Sequence, residues 1–153
     1  MTGDQGAEVI LCDTSLVGFL AKRRKHPEQF EHWSAELVAR LEKAILAVSV
    51  ITLAEAEFGY RKSGWSPRKI EQERLRLQSL LLIPLDVAIL TEWARLKHKS
   101  VDSGWNIGDN DLWIAATAAA RSLPLATCDR DHGRIEDERV EILYLPPKAD
   151  SAS

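Results

Sequence analysis

Two short apolar runs in this chain end on an aspartate. Val9-Ile10-Leu11-Cys12 stops at Asp13, and Leu125-Ala126-Thr127-Cys128 stops at Asp129. Runs of this length suit strands buried on both faces, which is how central parallel strands read. A third run, Ile45 to Ile51, is the strongest strand signal. It leads into Thr52-Leu53-Ala54-Glu55, a capping-box pattern expected to start a helix reaching about Lys62.

The segments between these runs read as helices. A short one is expected over Leu16 to Arg23. Pro27 opens a second, with Phe30, Trp33, Leu37, Val38 and Leu41 at three- and four-residue spacing. After a turn at Gly64 and Pro67, the pattern is helical to about Leu81. Leu82-Ile83-Pro84-Leu85 reads as a short strand at a sheet edge, because Pro84 has no N–H to donate. A helix follows from Asp86, then a polar loop from Ser103 to Gly108. Asp109 is placed to cap a further helix over Leu112 to Arg121, whose alanines permit close approach to a sheet. The last strand is Glu141 to Leu145. Strands and helices alternating in this way imply an α/β fold, a mostly parallel sheet with helices on both sides and right-handed crossovers. At 153 residues the chain is expected to be a single domain over 1–147 with a polar tail over 148–153.

A net charge of -3 gives no support to a strongly basic duplex-binding module. No apolar run approaches a membrane span, and the polar stretch Met1 to Glu8 is unlike a signal peptide. Two cysteines, Cys12 and Cys128, make neither a disulfide framework nor a cysteine-rich metal site, so a reducing cytoplasm is the expected compartment. Because side chains alternate along a strand, both thiols are expected to point into the core, away from the acids that follow them.

Asp13 follows the first strand, Glu55 lies in the turn of helix after the second, and Asp129 follows the fourth. In an open parallel sheet all three reach the carboxyl edge, where such folds bind ligands. Asp111 reaches the same edge if its helix leads down into the fourth strand. Crowded carboxylates raise one another's pKa unless a cation compensates them, and an all-oxygen set suits a hard ion, Mg²⁺ or Mn²⁺. Such a centre suits phosphodiester hydrolysis by a metal-activated water. Each acid also has a structural explanation: Asp13, Asp129 and Asp131 stand where they could cap a helix, Asp109 and Asp111 sit where the positive end of a helix favours acids, and the capping box accounts for Glu55. Only topology separates the two readings.

At these same residues the sequence resembles the PIN-domain family, most closely VapC-type toxin ribonucleases. The matching pieces are Ile10-Leu11-Cys12-Asp13-Thr14-Ser15, Ser49-Val50-Ile51-Thr52-Leu53-Ala54-Glu55, Asp109-Asn110-Asp111-Leu112-Trp113-Ile114-Ala115-Ala116-Thr117-Ala118, and Leu125-Ala126-Thr127-Cys128-Asp129-Arg130-Asp131. They fall in the family's order across nearly the whole chain. The resemblance implies a three-layer α/β/α fold, an Mg²⁺- or Mn²⁺-dependent endoribonuclease, a cognate antitoxin and a homodimer. It carries over Asp13, Glu55, Asp111 and Asp129 as the metal-binding and catalytic acids, with Asp131 an alternative to Asp129. Thr127 matches a hydroxyl residue that orients the site, and Thr14, Ser15 and Asp109 are further supporting candidates. Two departures stand out: Lys22 to Lys43 is long for a compact toxin, and His132-Gly133 stands where an aromatic often follows the last acid.

An anionic RNA backbone beside an acidic pit needs basic residues nearby, and two segments supply candidates. These are Arg23, Arg24 and Lys25 after Lys22, and Arg61 and Lys62 with Arg68-Lys69. Trp65 and Trp105 sit in loops where they could stack on an unpaired base. A lone histidine is weak evidence for a zinc ligand or a general base, and His132 is not counted among the expected site residues. Two other functions fit the same residues. One is a different metal-dependent phosphoryl hydrolase. The other is a non-catalytic RNA- or protein-binding domain whose acids are only caps.

Overall fold

The computed structural model describes residues 6–149. The last four positions of the expected tail, 150–153, lie outside the described residues. Among the described residues, five strands form one parallel sheet in the order β3-β2-β1-β4-β5. They are β1 (Val9–Cys12), β2 (Ile45–Ser49), β3 (Leu81–Ile83), β4 (Leu125–Thr127) and β5 (Ile142–Tyr144). The six helices among the described residues are α1 (Thr14–Lys25), α2 (Ala35–Lys43), α3 (Val50–Lys62), α4 (Pro67–Gln78), α5 (Val87–Ser103) and α6 (Asp109–Arg121). Short 3₁₀ turns occupy Pro27–Phe30 and Arg130–Arg134.

The period-2 geometry of a strand divides the core into two layers. On β1, Ile10 and Cys12 face a cluster with Leu16, Val17, Leu41 and Leu77, from α1, α2 and α4. Leu11 points the other way, into a cluster with Ile89 and Leu96 of α5 and Leu112, Ala115 and Ala116 of α6. The result is the expected α/β/α sandwich. Ala115, Ala116 and Ala118 have no exposed surface, in keeping with a helix that needs small side chains to approach the sheet.

Local physics moves several boundaries. The pattern from Pro27 to Leu41 is not one helix. Phe30 and Trp33 are buried, with ring centroids 4.8 Å apart. Trp33 Nε1 donates to the carbonyl of Pro146 at 2.7 Å, and Ser34 Oγ accepts from the Leu37 N–H, so α2 starts afresh at Ala35. The third apolar run does not extend as a strand to Ile51. Ser49 ends β2, and its hydroxyl accepts from the Ile51 N–H at 2.9 Å, so the run's last two residues open α3. The capping box of Thr52 and Glu55 is therefore not the start of this helix, and both residues lie inside its first two turns. Asp109 is not a cap either: Gly108 holds that position and Asp109 is the first helical residue. The Asp86 carboxylate does cap α5, accepting from the Ile89 N–H at 3.0 Å.

The chain runs outward from β1 through β2 to β3, then crosses back to place β4 on the other side of β1. Strand order therefore reverses at the β1–β4 pair. Outside the carboxyl ends of these two strands is where an open α/β sheet forms its binding crevice.

Candidate metal centre

Asp13 follows β1 and serves two structures at once. Its Oδ1 accepts from the Leu16 N–H and from Ser15 Oγ, both at 2.9 Å, which caps α1. Its Oδ2 accepts the hydroxyl hydrogen of Thr127, the last residue of β4. The same Thr127 oxygen accepts from the Asp129 N–H at 2.9 Å. The threonine thus ties the ends of the two central strands together. Asp13 is 2% exposed, so these bonds replace the water that an ionised carboxylate would otherwise need.

Glu55 arrives from α3. Its Oε1 accepts from Thr14 Oγ1 at 2.7 Å, which fixes it beside the residue that follows Asp13. Asp111 stands in the first turn of α6, partly buried, with no cap to serve. Burial pushes its carboxyl above the ordinary aspartate value. His132 opposes that rise, while the charges of Asp129, Glu55 and Asp13 add to it. Those three carboxylates come from three different segments, and the charge of each is felt at Asp111.

Asp129 caps the 3₁₀ turn through Oδ1, which accepts from the Asp131 N–H at 2.8 Å. It also joins Asp111 and His132 in a group whose potential ligand atoms lie within 4.8 Å of one another. Asp131 is exposed and lies 3.7 Å from Arg134. Asp109 is turned outward to Lys97, at 2.8 Å. The geometry thus brings Asp13, Thr14, Ser15, Glu55, Asp111, Thr127 and Asp129 together, and leaves the carboxylates of Asp109 and Asp131 in other ion pairs.

His132 is the residue that the sequence did not single out. It is 1% exposed and sits at the centre of the acids. Its Nδ1 lies 3.3 Å from both Asp13 Oδ2 and Thr127 Oγ1, and its Nε2 lies 3.6 Å from Asp111 Oδ1. The available signal was its spacing: three residues after Asp129, it comes to the same side of a single helical turn.

Other candidates lie elsewhere. Arg23 to Lys25 end α1, about 14 Å along its axis from Thr14, and Arg61 is about 9 Å along α3 from Glu55. Arg23 pairs with Glu42 at 3.4 Å. Trp105 is buried in the α5–α6 core and is not a base-stacking platform. Trp65 is already stacked on Tyr60, with Lys69 Nζ 3.8 Å from its ring centroid. Cys12 and Cys128 are buried in the core as expected, and burial pushes both thiols up to about 12.

Several carboxylates share one crevice, and Nε2 of His132 is buried there with no hydrogen-bond partner. Both features suit a positive ion.

The PIN-domain family model matches residues 10–138. Ribonuclease VapC5 of Mycobacterium tuberculosis is 35% identical over 115 residues, covering 69% of this chain and 84% of that protein. Ribonuclease VapC4 of the same organism is 28% identical, covering 88% and 95%. Among solved structures, VapBC-5 from Mycobacterium tuberculosis, described as a member of the VapBC family of toxin–antitoxin systems, aligns with a TM-score of 0.64 at 30% identity, covering 89% and 98%. VapBC from Salmonella typhimurium, solved bound to DNA, shares the fold with a TM-score of 0.72 at 20% identity, covering 92% and 99%. The chain belongs to the PIN-domain family, and its homology is to the VapC-type toxin ribonucleases. Family and acidic cluster together support a metal-dependent nuclease function. No described helix is long and apolar enough to cross a membrane.

Proposed function

We propose that this chain is an endoribonuclease dependent on Mg²⁺ or Mn²⁺ and the toxin of a toxin–antitoxin pair. The observation that carries this reading is the grouping of Asp111, Asp129 and His132 within 4.8 Å of one another at the β1–β4 reversal, with Asp13 3.3 Å from His132 and Glu55 held by Thr14, the residue after Asp13. When bound, a divalent cation would acidify a water and offset charge on the phosphodiester. Asp111 and Asp129 would hold it directly, and Asp13 directly or through water. Glu55, steadied by Thr14, would orient the attacking water and take its hydrogen bond. Thr127 would keep Asp13 and Asp129 in register. Attack in line with a 3′-oxygen leaving group would give a 3′-hydroxyl and a 5′-phosphate.

Capping explains part of this arrangement and not all of it. Asp13 and Asp129 are caps, yet the Asp111 carboxylate caps nothing, and the unpaired His132 nitrogen faces it. Arg23, Arg24, Lys25, Arg61 and Lys62 would contact RNA at a distance from the cut, on an extended strand. Phe58 of α3 and Leu75 of α4 are exposed apolar side chains suited to covering by an antitoxin or a second copy of the chain. A reducing cytoplasm fits the two buried, unpaired cysteines.

The test is cleavage of total cellular RNA with and without Mg²⁺ or Mn²⁺, comparing wild type with Asp13→Asn and Asp111→Asn. Metal-dependent cuts bearing 5′-phosphates, lost in both variants, support the proposal. Cleavage unchanged in both variants contradicts it.

A further inference from the structure

An orphaned nitrogen at the centre of an acidic crevice has a definite chemical meaning here. Nε2 of His132 is fully buried and has no hydrogen-bond partner. Leaving such a group unsatisfied in the interior is costly, so a partner is expected. The other ring nitrogen shows which kind. Nδ1 lies 3.3 Å from Oδ2 of Asp13, which can only accept, and from Oγ1 of Thr127, whose own hydrogen goes to Asp13, so the neutral form of the ring carries its hydrogen on Nδ1. Nε2 then presents a lone pair toward Oδ1 of Asp111, itself an acceptor, 3.6 Å away. Asp129 offers a third electron pair within 4.8 Å of both. Three acceptors around one point repel unless a cation lies among them.

Asp13 stands behind the imidazole as a carboxylate stands behind a metal-bound histidine, fixing the tautomer and the ring orientation. We infer that His132 is a nitrogen ligand, through Nε2, of the cation held by Asp111 and Asp129, and that it biases the centre toward Mn²⁺ over Mg²⁺. This rests on the metal-centre reading above and deepens it. Mg²⁺ favours a shell of oxygens and water, whereas imidazole suits transition ions. A phenylalanine-sized apolar ring could fill the same space but would supply no electron pair.

The direct readout is the electron spin-echo modulation spectrum of Mn²⁺ bound to the full chain, together with equilibrium titrations of Mn²⁺ and Mg²⁺. The expected spectrum shows nitrogen coupling that changes from a ¹⁴N to a ¹⁵N pattern on histidine labelling and is absent from His132→Phe. Labelling the wild type keeps the experiment decisive even if the variant folds poorly. The other three histidines are placed elsewhere: His32 on the Pro146 carbonyl, His26 near Glu28 and His98 near Asp102. The ratio of Mn²⁺ to Mg²⁺ affinity is expected to fall at least about tenfold in His132→Phe. Bound Mn²⁺ without nitrogen coupling, or an unchanged ratio, overturns the role of His132 and leaves the oxygen-ligated centre standing. No bound Mn²⁺ at all overturns both.

Discussion

Thr127 donates its hydroxyl hydrogen to Asp13, a residue 114 positions earlier in the chain, and accepts from the N–H of Asp129 with the same oxygen. One hydroxyl therefore sets the spacing of two of the acids proposed to hold a cation. Thr127→Val keeps the shape and removes both bonds. The expected cost is about 1–3 kcal/mol of stability, because a buried carboxylate and a backbone N–H lose a partner. Metal affinity is expected to fall about 10- to 100-fold. Thermal unfolding and a metal titration on the same preparation check the two effects. A variant that binds metal as tightly as wild type contradicts the positioning role.

Glu55 is held by Thr14, so the pair is expected to act as a unit. Thr14→Val and Glu55→Gln should each lower the metal-dependent cleavage rate, and the double variant should be no slower than the worse single one. Single-turnover RNA cleavage measures this. Multiplicative losses would mean that the hydrogen bond at 2.7 Å does not carry the effect.

Stability at low pH is expected to depend on Asp137. Its side chain has no exposed surface and accepts from Arg95, Lys99 and the Arg139 N–H. The Arg95 guanidinium, with Lys99 and the Arg139 N–H, holds this carboxyl well below the usual range. A depressed carboxyl pKa stabilises the fold above the unfolded-state value, about 3.9, and the contribution is lost as pH falls toward the folded value. Asp137→Asn should cost about 3 kcal/mol at neutral pH, or roughly 6–12 °C in Tm. The gap from wild type should narrow below about pH 4. Melting curves across pH 2–8 check this, and a gap that does not change with pH contradicts it.

Cys12 and Cys128 are buried, and both thiols are pushed up to about 12. In the native protein at pH 8 neither should react with a thiol reagent at a measurable rate until the chain is unfolded, when both should react. Rapid native labelling at either position would contradict their placement in the core.

The acids at strand ends were legible because a parallel sheet brings every such position to one edge. Asp13 and Asp129 could be read from where their apolar runs stop. Asp111 could be placed because its helix has to lead down into β4. Glu55 was also found, but a capping box does not explain its position. Ser49 starts α3, and Glu55 is fixed instead by a contact with Thr14, 41 residues earlier. For His132 the three-residue spacing from Asp129 was the whole signal, because its place depends on a five-residue 3₁₀ turn folding back under Asp13 and Asp111. The roles of Asp109 and Trp105 depended on partners farther away along the chain: Lys97 for Asp109, packing in the α5–α6 core for Trp105. Asp131 could have been read more closely, since Arg134 lies only three residues on.

Anomalous diffraction from crystals of the full chain soaked in Mn²⁺ tests the central claim most directly. One strong peak is expected between the carboxylates of Asp111 and Asp129, with Asp13 and Glu55 in contact directly or through water. The peak should vanish in Asp111→Asn. Manganese bound only elsewhere on the surface, or retained at full occupancy in that variant, would contradict it.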